Sequence, residues 1–105
     1  MNEYIMTYFG GEHPSTPEAG KAHFAAYQTW LLSLGDAVVS AMNPLRGTVS
    51  IAPDGSQVPG SQSGMSGYTI LRALTIEEAV AMASNCPFLE IKGRLEIAER
   101  VNMSQ

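Results

Sequence analysis

Three observations predict an α+β fold. Twice along the chain an extended apolar run gives way to a helical stripe and then returns to extended structure. Gly, Pro, Asn and Asp punctuate each of these changes of period. The 105 residues, 45% hydrophobic and 15% charged, hold enough apolar material for one small domain and too much for a disordered tail.

The first strand runs from Tyr4 to Phe9, ending at Gly10-Gly11. Period two sets Tyr4, Met6 and Tyr8 against Ile5, Thr7 and Phe9, and neither set is charged, so both faces expect cover. Compactness without a hydroxyl assigns Ile5 and Phe9 to the helix side. Tyr4, Met6 and Tyr8 are then expected at a subunit interface, where a phenol offers area and a polar tip. A helix follows over Pro17 to Leu34, with Phe24, Tyr27, Leu31 and Leu34 as its stripe and Ala22, Ala26 and Trp30 widening it. Its cap is either Ser15, with Glu18 at box spacing, or Thr16, with Pro17 at the first helical position. Gly35 ends it.

Ala37 to Met42 reads as a strand that stops at Asn43-Pro44. The runs around Val49 and Val58, joined through Asp54-Gly55, read as a hairpin. Pro59 to Gly67 is a Ser/Gly loop, a possible lid, before a strand over Tyr68 to Leu74. Thr75, with Glu78 three residues on, caps a second helix whose stripe is Ile76, Ala79, Val80 and Ala83, and Pro87 closes it. The last strand spans Arg94 to Val101, and the tail from Asn102 to Gln105 is polar.

This order, strand, helix, strand with hairpin, strand, helix, strand, is that of a ferredoxin-like split β-α-β sandwich with an extra β-hairpin. Right-handed crossovers place both helices on one face of the sheet. The other face is apolar and has no third helix to cover it. A second copy of the same sheet is the expected cover, giving a homodimer through the open sheet face.

Composition narrows the function classes. Ten Asp or Glu against six Lys or Arg give a net charge of −4, and the basic residues are scattered, which argues against nucleic acid. Few Lys or Arg in either helix, and no long apolar run, argue against a membrane partner. One Cys and two His ten residues apart point to no metal, and no phosphate-loop or other cofactor motif is present. The absence of a leader-like start and the single thiol suggest the cytoplasm.

The stretches Gly67-Tyr68-Thr69-Ile70-Leu71, Thr75-Ile76-Glu77-Glu78-Ala79, Asn85-Cys86-Pro87 and Gly93-Arg94-Leu95-Glu96-Ile97 resemble the second half of a YCII-related domain. The first half fits more loosely, through a strand, a helix carrying His23, and Asn43-Pro44-Leu45. The resemblance spans nearly the whole chain, as a single domain over residues 1–105. It implies a dimeric α/β barrel in a family mostly of unassigned activity. It also implies a pocket histidine on the first helix, which falls at His23, paired with an aspartate, for which Asp36 is the nearby candidate. Where the DGPF branch of the family has Asp-Gly-Pro-Phe, this chain has Val58-Pro59-Gly60.

His23 and Tyr27 are four apart and share a helix face. One reading makes His23 a general acid or base, oriented by Asp36 and aided by the Tyr27 hydroxyl, acting by proton transfer or elimination on a small polar or anionic metabolite. The other makes it a half-buried helix histidine in a non-catalytic ligand-binding or interaction module. Asp54 reads as a turn residue, Cys86 as a small buried hydrophobe, and Arg72, Arg94 and Arg100 as partners for Glu96 or Glu99.

Overall fold

A computed structural model describes residues 1–103, so the last two residues of the polar tail lie outside the described residues. The elements follow the expected order: β1 (Asn2–Gly10), α1 (Pro17–Leu34), β2 (Val38–Pro44), β3 (Val49–Ile51), β4 (Gln57–Pro59), β5 (Met65–Ala73), α2 (Ile76–Ala83) and β6 (Gly93–Glu99). Short 3₁₀ turns follow each helix, at Gly35–Ala37 and Pro87–Ile91. The main sheet is antiparallel in the order β2-β5-β1-β6, and β3 and β4 form a separate two-stranded ribbon. That is the strand order of a ferredoxin-like fold.

Local chemistry explains the helix bounds. Thr16 caps α1, its hydroxyl accepting from the Ala19 N–H at 3.0 Å, with Pro17 in the first turn. Thr75 caps α2 by accepting from the Glu78 N–H at 3.2 Å, and the Glu78 carboxylate accepts from Leu74 N–H at 3.0 Å. In the ribbon, Asp54 accepts from the Ser56 amide and hydroxyl at 2.9 and 2.7 Å, which makes it a turn residue and holds its carboxyl below the usual range.

The faces of β1 are the reverse of the expectation. Tyr4, Met6 and Tyr8 point under the helices, where Met6 and Tyr8 pack with Leu71, Tyr27, Trp30 and Ala83. Tyr4 packs with Ala73 and Ala79. Ile5 and Thr7 are half-buried on the open face with Ile70 and Tyr68 of β5. The assignment failed because it treated a phenol as a burden in the core, whereas here each buried tyrosine oxygen has a hydrogen-bond partner. Phe9, on the open face, is shielded by the Arg94 guanidinium 4.7 Å from its ring centre. Arg100 pairs with Glu3 at 2.7 Å, and among the described residues none of Arg72, Arg94 and Arg100 forms the expected ion pair with Glu96 or Glu99.

The helices also sit differently from their stripes. On α1, Tyr27 and Trp30 are buried and Leu31 and Leu34 partly so, while Ala22 and Ala26 are exposed. On α2, Ala79 and Ala83 are buried and Ile76 and Val80 are exposed. Small residues on that line let α2 lie close against the sheet. One layer of helices on one sheet leaves a chain only 17 Å thick in its short dimension.

Candidate functional site

Between α1 and the sheet, at the edge of the packed core, lies an open cavity of about 200 Å³. From α1 come His23, Phe24 and Tyr27, three and four residues apart and therefore on one helix face. The sheet supplies Tyr8 of β1, Met42 to Pro44 of β2 and Ser66 to Tyr68 of β5, and Phe88 closes one end. A Cβ on Gly67 would sit 2.9 Å from the Asn43 carbonyl oxygen, so only glycine lets β2 and β5 close together at this edge. The Phe88 ring meets Tyr8 edge-on, with centres 5.0 Å apart.

Beneath this cavity lies a chain of hydroxyls. The Tyr8 hydroxyl is hydrogen-bonded to that of Tyr27 and lies 2.6 Å from the Thr69 hydroxyl. Tyr27 and Thr69 are 3.3 Å apart, and Thr69 donates to the Ala41 carbonyl at 2.5 Å. Thr69 has no exposed surface, so its hydrogen bonds offset the cost of burying it. Burial raises the pKa of Tyr8 far above that of a free phenol, and Thr69 only partly opposes this. Tyr27 is raised by the same cause. Burial pushes the Cys86 thiol up to about 11. At neutral pH the floor therefore offers neutral hydroxyls, and the thiol beside it is no nucleophile.

The polar side chains of β2 are likewise occupied. Asn43 donates to the Tyr68 carbonyl at 3.1 Å and to the Ser40 hydroxyl at 3.0 Å. His23 differs from them. It is half-buried at the rim and makes no hydrogen bond or ion pair among the described residues. Its imidazole is free to meet a ligand.

Of the three residues singled out in sequence, His23 and Tyr27 both line the cavity. Asp36 does not. It is exposed in the turn after α1, and thirteen residues at about 1.5 Å each carry it roughly 20 Å along the axis from His23. No carboxylate lines the cavity, and neither does any Lys or Arg. The loop over residues 60–64 stays away too, and only Ser66 and Gly67 of the expected lid reach the cavity wall. Among the described residues no group of three or more His, Cys, Asp or Glu is placed to hold a metal. No helix among them is long and apolar enough to cross a membrane.

Sequence reasoning missed Tyr8, Thr69 and Phe88 as parts of this site. Tyr8 and Thr69 lie 61 residues apart, and only the pairing of β1 with β5 brings them together.

No family model matches the chain, and no curated protein matches it. Among solved structures it is similar to the 5-chloro-2-hydroxyhydroquinone dehydrochlorinase TftG from Burkholderia phenoliruptrix AC1100, solved in complex with 2,5-dihydroxybenzoquinone. The TM-score is 0.52 at 14% identity, covering 95% of this chain and 93% of that one. At that identity the likeness is one of fold.

Proposed function

We propose that this chain is a single YCII-related domain that dimerises through its open sheet face and acts on a small molecule held in the α1–sheet cavity. His23 is its proton-transfer residue, with Tyr27 at the cavity floor, and the reaction is a proton transfer or an elimination. The observation that carries this reading is His23 itself, an imidazole with no protein partner beside a cavity whose tyrosine hydroxyls are already bonded to one another. The fold neighbour, a dehydrochlorinase by name, supports an elimination in which a base takes a proton and chloride departs. Apolar walls and the lack of a lining cation favour a neutral polar ligand over an anionic one. The lone buried thiol, Cys86, suits a reducing cytoplasmic compartment.

The test is to give the full chain 5-chloro-2-hydroxyhydroquinone and to follow chloride release alongside the His23 ring resonances. Chloride release should fall about 10²- to 10⁴-fold in His23→Ala and stay unchanged in Asp36→Ala. Unmoved ring resonances with no chloride release would overturn the reading. The absence of a carboxylate at His23 favours a second reading, a ligand-binding module without turnover. In that case the ring resonances shift and no chloride appears.

A further inference from the structure

The hydroxyl chain beneath the cavity has a fixed direction, because a carbonyl oxygen can only accept. Thr69 gives its one hydroxyl proton to Ala41 and can meet the tyrosines only as an acceptor. The 2.6 Å contact between Tyr8 and Thr69 therefore takes its proton from Tyr8, and the bond between the two phenols takes its proton from Tyr27. In this order, Tyr27 to Tyr8 to Thr69 to Ala41, all three O–H protons are used inside the network, and only lone pairs on the phenol oxygens remain for a ligand.

Asn43 adds no outward donor, since both protons of its amide are bonded to Ser40 and Tyr68. Ser66 donates its hydroxyl to the Tyr8 carbonyl at 3.4 Å, and the Tyr68 side chain lies on the open face of the sheet. Among the described residues His23 at the rim is thus the one lining side chain left free to donate, and Phe24, Met42, Pro44 and Phe88 make the rest of the wall around the floor apolar. A dry cavity of about 150 Å³ takes up benzene, so about 200 Å³ has room for a ring bearing substituents.

We infer that Thr69, which never touches the ligand, sets the polarity of the site: the floor selects a hydroxylated aromatic ring that donates a hydrogen bond and disfavours one that can only accept. This rests on the cavity being the ligand site and adds the class of ligand that it takes. A ligand hydroxyl completes the network by donating to a tyrosine oxygen. A ligand offering only lone pairs there faces other lone pairs, with no proton between them, and leaves its own acceptor unpaired. Thr69 is a positioning residue, acting through Tyr8 and Tyr27.

Phenol and pyridine N-oxide are nearly the same shape, and only the first donates. Their dissociation constants should be measured on the full chain by NMR titration, for the unaltered protein, Thr69→Ser and Thr69→Val. Phenol should be preferred by about tenfold or more in the unaltered protein and in Thr69→Ser, which keeps the hydroxyl. In Thr69→Val the chain loses its anchor at Ala41, a tyrosine proton is released toward the cavity, and the preference should shrink at least threefold. A preference unchanged in Thr69→Val overturns the inference while leaving the cavity as a ligand site. If neither probe shifts the resonances of His23 and Tyr27, the ligand-site reading fails and the inference fails with it. Should Thr69→Val not fold, the unaltered protein still decides between the two polarities. The stronger donor 4-cyanophenol should bind more tightly than 4-methylphenol, and the opposite order overturns the inference.

Discussion

Trp30 Nε1 donates to the Met82 carbonyl oxygen at 2.9 Å, and through this bond α1 and α2 are tied to each other above the sheet. The indole is buried at 6% exposure and stacks obliquely on Tyr27, with ring centres 5.4 Å apart. It thus supports the residue at the cavity floor as well as the helix pair. Trp30→Ala should lower stability by about 3–5 kcal/mol, through lost burial and the cavity left behind. Trp30→Phe keeps most of the apolar contact and loses the hydrogen bond, so about 1–2 kcal/mol is expected. Chemical denaturation midpoints check both.

The two faces of β1 should respond differently to charge. Met6 has no exposed surface and packs with Leu71 under the helices. Met6→Lys should unfold the subunit, because a buried ammonium there has no partner. Ile5, on the open face, can carry a charge within one protomer. Ile5→Lys should keep the far-UV circular dichroism of the parent and convert a dimer to a monomer by light scattering. A dimer that persists in Ile5→Lys would show that the open face is not the interface.

Alkaline pH should destabilise the protein in two stages. The Cys86 thiol has its pKa raised from 9.0 to about 11 in the fold. Its contribution is complete below about pH 9 and is lost as pH rises toward 11, because the unfolded thiol ionises first. Tyr8 and Tyr27, also raised, extend the loss above the ordinary phenol value of about 10. Melting temperatures from pH 8 to 11.5 should fall throughout this window. Cys86→Ala should remove the early part of the fall and Tyr8→Phe with Tyr27→Phe the later part.

Gly93 is held to glycine by Phe88. A Cβ at that position would lie 2.3 Å from the aromatic ring and 2.7 Å from the Phe88 carbonyl oxygen. Gly93→Ala should therefore displace the ring that closes the cavity, at a cost of about 1–3 kcal/mol. It should also weaken phenol binding. Parallel measurements of the denaturation midpoint and phenol affinity check this, and an unchanged affinity would show that Phe88 is not a wall of the ligand site.

The order of the elements and the bounds of the helices were legible because each depends on neighbouring residues, whereas β5 starts at Met65, inside the expected Ser/Gly loop, and β6 stops at Glu99, short of the expected Val101. Thr16-Pro17 and Gly35 bracket α1 at the limits expected, Thr75 and Glu78 open α2, and Asp54-Gly55 turns the ribbon. Strand order followed, since two crossovers with helices on one face leave few alternatives. His23 and Tyr27 were legible as a pair because four residues on a helix are one turn. Asp36 was drawn to them by its closeness in sequence, and the straight run of α1 carries it to the other end.

Which face of β1 turns inward was beyond sequence, because both of its sets are apolar and hydrophobicity alone does not separate them. Only the tertiary structure decides it, by bringing Tyr8 of β1, Tyr27 of α1 and Thr69 of β5 within bonding reach of one another. A buried phenol is unfavourable until such partners exist, and those partners come from three elements that meet only in the folded chain.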